Sequence, residues 1–254
     1  MQFLVFQLQA PLAAWGEPAV GESRGTGTTP SHSAIVGLLG AALGILRDDE
    51  AGHARLRDGF GFAVGLLQEG SLLRDYHTAQ VPSRSALKGR PQFTRRQEMA
   101  VPKQDLNTIL STRDYRQNSG CLVALQALES AASAPSLDVL VAAFHEPRFV
   151  LYLGRRSCPP AAPLWPQVLE DESAHAAFAQ YAERFEAARQ AGAKARGQEP
   201  LEALGRLHRL VFDERVSAGV QPQLSTRRKD RLIRRTGWQF GDRTEHVAML
   251  TSED

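Results

Sequence analysis

Tyr76 and His77 are neighbours in the chain. A phenol beside an imidazole can exchange protons with a reacting group near neutral pH. Both side chains serve equally well as packing or hydrogen-bonding groups, and that is the reading the sequence favours. The segment around them is basic. From Arg74 to Arg116 it holds nine Lys or Arg (74, 84, 88, 90, 95, 96, 103, 113 and 116) against four acids. From Arg227 to Arg235 six basic residues accompany Asp230 alone. Such clusters in a chain of net charge +2 point to a polyanionic partner for the first, while the second reads as solvated surface. Gly154-Arg155-Arg156 adds a third basic spot. Its glycine permits close backbone approach. Two adjacent arginines on a strand point to opposite faces, so one can grip a phosphate while the other pairs inside the fold. Spacing does not say which.

Other chemistries leave no trace. There is no GxxxxGK phosphate loop, no HExxH and no GxSxG, and Gly25-Thr26-Gly27 runs into Thr28-Thr29-Pro30 rather than a dinucleotide fingerprint. The seven histidines, at 32, 53, 77, 145, 175, 208 and 246, lack metal-ligand spacing. Neither a catalytic residue nor a metal nor a cofactor is expected. Cys121 and Cys158 are too few for a disulfide framework and are expected reduced, Cys158 as a small buried residue. The first residues, MQFLVFQLQAPLAAW, carry no basic leader. The longest apolar run, Ala34 to Leu46, has 13 residues, short for a bilayer span. A cytoplasmic protein is expected.

The length of 254 residues, with 43% apolar and 23% charged, allows one large folded domain or two small ones. Leu4, Phe6 and Leu8 alternate with Val5, Gln7 and Gln9, predicting a strand. Pro11 to Thr29 reads as a long loop. A helix is expected from Pro30, capped by Thr29, through Asp49. Gly37, Gly40, Ala41 and Gly44 give it a small side, suited to close approach by another backbone. Strands follow at Gly59–Leu67 and Ser71–Gln80, turned at Glu69-Gly70. Val81 to Asp105 reads as an inserted arm, with Thr108–Tyr115 as its returning strand. Cys121–Leu128 is a strand, Ser136–Phe144 a helix, and Arg148–Leu153 the last strand of a ferredoxin-like, RRM-like antiparallel α+β domain. Prolines 159, 160, 163 and 166 mark a boundary, placing one domain at 1–158, its thumb at about 81–112, and a smaller C-terminal region at 159–254. There, Phe178, Tyr181 and Phe185 form one helical stripe, Leu201, Leu204, Leu207 and Val211 a second, and Trp238–Leu250 closing strands.

Four segments carry a resemblance: QAPLAAWGEP (9–18), ESRGTGTTPSHSAIVGLLGAALGI (22–45), LRDYHTAQVP (73–82) and YLGRRSCPPAAPL (152–164). They resemble the CasD-type subunits of type I-E Cascade, the CRISPR surveillance complex, which belong to the Cas-five family of the RAMP superfamily. The likeness covers roughly 1–165, fades over 165–225 and returns faintly at FGDRTEHVAM. It implies a ferredoxin-like domain with a protruding thumb hairpin. It also implies a non-catalytic, RNA-binding subunit that holds the 5′ handle of CRISPR RNA, caps the backbone subunits and lies near the large subunit that reads the protospacer-adjacent motif in foreign DNA. Relatives in type I-C cleave precursor RNA, so a metal-independent endoribonuclease using Tyr76, His77 or a thumb lysine is the alternative.

Single-stranded RNA is held by phosphate contacts and stacked bases. On that reading a helix start at Pro30–Ser33 offers N–H groups to phosphate, with Ser31, His32 and Ser33 as side-chain donors. Arg24 matches the family's loop arginine, although Gly25 replaces the usual proline, and Thr28 and His32 stand where basic residues are common. Trp15 is an anchor or a stacking group. Arg113 is expected on phosphate and Tyr115 on a base. Tyr76 and His77 sit at the root of the arm, and Lys88, Arg90, Arg95, Arg96 and Lys103 fit the thumb. Arg155 and Arg156 share the remaining contact.

Overall fold

The computed structural model describes residues 1–17, 19, 21–129, 133–200 and 202–251; Pro18 and Val20 of the first loop, and Leu201, lie outside that set. β1 (Gln2–Ala13) is buried on both faces. Leu4, Phe6 and Leu8 join one apolar cluster, Phe3 and Val5 the other, so the strand must lie between two layers. It runs through Pro11, and the loop expected from that residue begins after Ala13.

α1 (His32–Leu43) starts later than expected. Ser31, not Thr29, is its cap, accepting from the Ala34 N–H at 3.2 Å. The helix stops at Gly44, which is left-handed at φ 77°, and a separate α2 (Glu50–Gly59), capped by Asp49, follows. The small side of α1 receives side chains rather than a neighbouring helix backbone. A Cβ on Gly40 would lie 3.2 Å from the His53 ring, and one on Gly37 3.7 Å from the Arg235 guanidinium.

β3 (Phe60–Gln68) and β4 (Ser71–Pro82) follow one another through Gly70, but the turn expected at Glu69-Gly70 does not fold them together: both lie antiparallel to the same strand, Gln68 opposite Gly120 and Ser71 opposite Gln117, so the chain runs straight on. The strands expected at Thr108–Tyr115 and Cys121–Leu128 are one, the 22-residue β5 (Leu106–Ala127). Its first half pairs with β4, from Ser71↔Gln117 to Pro82↔Leu106, and makes the arm; its second half pairs with β1 and β3 inside the domain. β2 (Ser23–Arg24) lies parallel to it. The arm's tip carries α3 (Arg95–Glu98), capped by Thr94, and a 3-10 turn.

α4 (Leu137–His145) is capped by Ser136. Arg148–Leu153 is not a strand. Its N–H and C=O groups are spent elsewhere: Arg148 and Phe149 donate to the last carbonyls of α1, Leu153 donates to Cys158 O at 2.7 Å, and Leu153 O accepts from Ala14 N–H. The fourth ferredoxin strand is β6 (Gln167–Glu170), giving the order β6-β1-β5-β3. It lies beyond residue 158, so the sheet draws on both regions expected from the sequence. α5 (Ala174–Arg196) covers one face and α1, α2 and α4 the other. Phe178 and Tyr181 of α5 are fully buried, and the Tyr181 hydroxyl donates to Trp165 O at 3.1 Å. The second helical stripe is absent. Leu204 and Leu207 lie in irregular chain packed on the α5 side, and Val211 belongs to β7 (Arg209–Asp213). β8 (Leu224–Arg234) and β9 (Gln239–Met249) extend the same sheet beyond β7.

The β8–β9 hairpin is locked onto α1 by charge. Asp230, buried on β8, accepts from the His32 N–H at 3.0 Å. Arg243 of β9 grips both its oxygens at 2.6 and 2.9 Å, and Glu245 and Arg228 complete the network. The cluster at 227–235 is therefore partly internal: Arg228 reaches Glu17, Asp230 and Glu245, and Arg231 binds Asp58. The bonds from Arg57 first, then those from Arg231, push the Asp58 carboxyl down to about 2. The anion seat expected at the α1 terminus is thus filled by the protein's own carboxylate. His32 turns inward with it, edge-on to Phe62 at 4.5 Å, and offers no donor to a ligand.

Two outcomes follow from this packing. Phe178→Ala should cost about 3–5 kcal/mol, read as a lower denaturation midpoint at unchanged m-value. Burial, then the nearby Arg243 and Arg215, push the His32 imidazole down to about 3 from 6.5. Between those values the unfolded chain takes up a proton that the folded chain refuses, so stability declines as pH falls through that window. His32→Gln should flatten the decline between pH 6.5 and 4.5, by up to about 1.4 kcal/mol per unit; an unchanged slope in chemical denaturation would contradict this.

Candidate nucleic-acid interface

A cleft of about 390 Å³ opens along α1, walled by residues 14, 16, 17, 19, 24 and 25, the turn at 152–155 and the end of the β8–β9 hairpin. Its lining includes Arg24, Arg47, Arg155 and Arg235 against one acid, Glu17, whose carboxylate lies 3.8 Å from Arg228. The floor is the small side of α1: Ala34, Gly37 and Ala41. Gly154 shapes one wall. At φ 86° its Cβ would stand 1.7 Å from Ala14 O, so no side chain fits there.

Arg24 and Arg113 come together as the parallel β2–β5 pair. Arg24 is exposed and Arg113 half-buried. Among the described residues neither guanidinium has an internal hydrogen bond or ion pair. Arg155 is the inward one of the adjacent arginines. It lies 4.5 Å over the Tyr115 ring and donates to Asp114 O and Arg24 O, both at 3.1 Å. Arg156 is exposed. The two do not divide across a strand as expected, because they sit in a turn. Tyr115 is buried, with a guanidinium over its ring. Its burial leaves no open ring for a base, against the expected base contact. Behind it, Asp114 binds Arg74 at 2.8 and 3.0 Å, which holds its carboxyl below the usual range.

Ser31 is buried and committed as the cap of α1, and Ser33 Oγ lies 3.1 Å from Ser31 Oγ. Both still line the cleft. Trp15 is buried among core residues, the anchor rather than the stacking group. Tyr76 and His77 are exposed on β4, opposite Thr112 and Ser111. As neighbours on a strand they leave opposite faces of the ribbon, so they do not assemble into one proton-transfer pair. Lys88 and Arg90 lie in the arm's tip. The ribbon runs eight residue pairs from Arg113 to Leu106, about 24 Å, before that tip begins. Arg90 is tied to Ala100 O at 2.7 Å, and Arg95 to Glu98 and the Gln80 carbonyl. Among the described residues Lys88, Arg96 and Lys103 have no such internal partner.

Spacing did not single out Arg47, Tyr152, Arg235 and Trp238, which also line the cleft. The signal available was the turn Thr236-Gly237-Trp238, next to a basic run. Cys121 is buried, which pushes its thiol up to about 12, and Cys158 is fully buried. No helix of the described residues is long and apolar enough to cross a membrane.

The chain is 34% identical over 171 residues to the CRISPR system Cascade subunit CasD of Escherichia coli (strain K12), a match covering 64% of this chain and 69% of that one. Its fold is similar to a chain of a CRISPR RNA-guided surveillance complex, with a TM-score of 0.61 and 21% identity over 97% of this chain and 89% of the other. It is also similar to a Cas protein known from a crystal structure, with a TM-score of 0.56 and 22% identity over 99% and 96% of the two chains. A family model described as CRISPR-associated protein (Cas_Cas5) matches residues 3–244, nearly the whole length. The chain belongs to the CRISPR-associated Cas_Cas5 family.

Proposed function

We propose that this protein is a non-catalytic Cascade subunit that binds the 5′ handle of CRISPR RNA in the cleft along α1 and caps the backbone of the complex in antiviral defence. The observation that carries the reading is the register of Arg24 beside Arg113 on β2 and β5, with Arg24 lining the cleft and, among the described residues, neither guanidinium ion-paired, although Asp75 lies opposite Arg113 on β4. Unpaired guanidiniums side by side repel one another, and a bound phosphate relieves that repulsion. Support also comes from the 34% identity to a Cascade subunit. Ser33 and Arg156 supply further polar contact, and the arm's Lys88 and Arg90 meet RNA backbone or an adjacent backbone subunit. The large subunit that reads the protospacer-adjacent motif, and foreign DNA in the assembled complex, are the remaining partners. The site of action is cytoplasmic.

With the buried N-terminus of α1 already neutralised by Asp230, handle binding rests on side-chain cations. Arg24→Ala and Arg113→Ala should each weaken binding of handle RNA about tenfold. Each should also reduce the slope of log K against log salt by about 0.7. Normal affinity and slope in both variants would remove the proposed role.

The opposed faces of Tyr76 and His77 favour binding over cleavage. Incubation with precursor RNA in EDTA should leave the RNA intact. A defined cut upstream of the handle, lost on His77→Ala, would establish the endoribonuclease instead.

A further inference from the structure

Of the three tryptophans, Trp15 is buried, Trp165 packs on Tyr181 and Phe185, and Trp238 is 55% exposed. Trp238 sits in the turn between β8 and β9 at φ 49°, a left-handed conformation unusual for a bulky residue. Phe240 stacks behind it at 6.5 Å, with the rings 19° apart. Arg47 and Arg235 both lie over the indole, but at 5.8 and 5.9 Å from its centroid, farther than the 4.5 Å of Arg155 from the buried Tyr115, so the ring keeps open surface. Among the described residues neither guanidinium is ion-paired with a carboxylate. The nearby Glu50 is spent on the Arg235 and Thr236 N–H groups and the Thr236 hydroxyl. Arg235 in turn lies over Gly37, where α1 is narrowest.

Two cations and an exposed ring in one cleft, with Glu17 drawn to Arg228, Glu50 bonded to N–H and hydroxyl groups and neither cation ion-paired among the described residues, describe a ligand with an aromatic face and negative charge. An apolar protein surface would leave both guanidiniums buried without a partner. We propose that Trp238, Arg47 and Arg235 form a second RNA contact in the cleft, on the wall made by the β8–β9 turn. A nucleobase stacks on the indole, and the flanking phosphates meet the two guanidiniums. The inference rests on the reading that the chain binds RNA, and it names where the strand goes after Arg24. It also gives the 227–235 run a use beyond internal pairing.

The test uses the full-length protein and a mixed-sequence single-stranded octaribonucleotide. Affinity is read by anisotropy of a labelled strand and stacking by tryptophan fluorescence. The RNA should quench the wild-type emission. Trp238→Phe should abolish the quench, and Trp238→Ala should weaken binding about 5- to 100-fold with unchanged circular dichroism. Arg47→Ala and Arg235→Ala should weaken binding and reduce its salt dependence. Inorganic polyphosphate, which has no bases, should compete without quenching.

If wild-type protein binds the strand and Arg24→Ala weakens it, while Trp238→Ala binds normally, the stacking site is overturned and the RNA-binding reading stands. If polyphosphate quenches as RNA does, stacking is overturned as well. If wild-type protein binds no RNA, both fall.

Discussion

One buried carboxylate organises this protein. Asp230 sits at the start of α1, takes the His32 N–H and is held on its other side by Arg243. A helix terminus attracts negative charge, and a buried carboxylate must be paired and hydrogen-bonded to persist. Each satisfies the other, and the result fixes the last hairpin of the chain against its first helix. Arg57 with the Leu232 and Ile233 carbonyls, Arg231 with Asp58, and Glu50 with Thr236 extend that seam along α2. Without it the cleft would lack one of its walls.

The same bond decides how an anion can be held. A free helix terminus binds phosphate through backbone N–H groups and dipole. Here Asp230 takes the His32 N–H, and the Ser31 hydroxyl takes that of Ala34. The cationic character of the cleft therefore comes from guanidiniums supplied by four separate places in the chain: the first loop, the link between α1 and α2, the turn after Gly154, and the β8–β9 hairpin. Arg155 is held by stacking on Tyr115 and by two carbonyls, so it gives shape as well as charge. Arg24 and Arg113 keep their donors open.

Much of this was legible in the residues. The alternation in β1, the Ser136 cap and the aromatic stripe of α5 each state a local rule, and the fold obeys them, whereas Glu69-Gly70 reads as a turn and is instead a break between two strands that run on along β5. The basic arm was readable too, because charge clustered where apolar periodicity failed. What escaped depended on contacts distant in sequence. Gly44 looks like Gly37 and Gly40 from within the helix, yet it alone turns left-handed and ends it. β6 is four residues long, too short for periodicity to mark. Asp230 reads as a lone acid diluting a basic run. Nothing nearby says that its partner is an amide 198 residues away. Tyr115 and Trp238 show the same limit: burial decides which aromatic can meet a base, and burial is a property of the packed chain.

β5 is a single strand of 22 residues that pairs with β4 over its first half and with β1 and β3 over its second, with a one-residue register shift in β3 opposite its middle. A shift of one residue near its middle would turn over every side chain toward either end. The aim of the projecting ribbon is therefore inherited from the interior, and a single insertion at its root would invert it. Growth is tolerated at the far end, in facing pairs. Relatives can differ in how far they reach while pointing the same way.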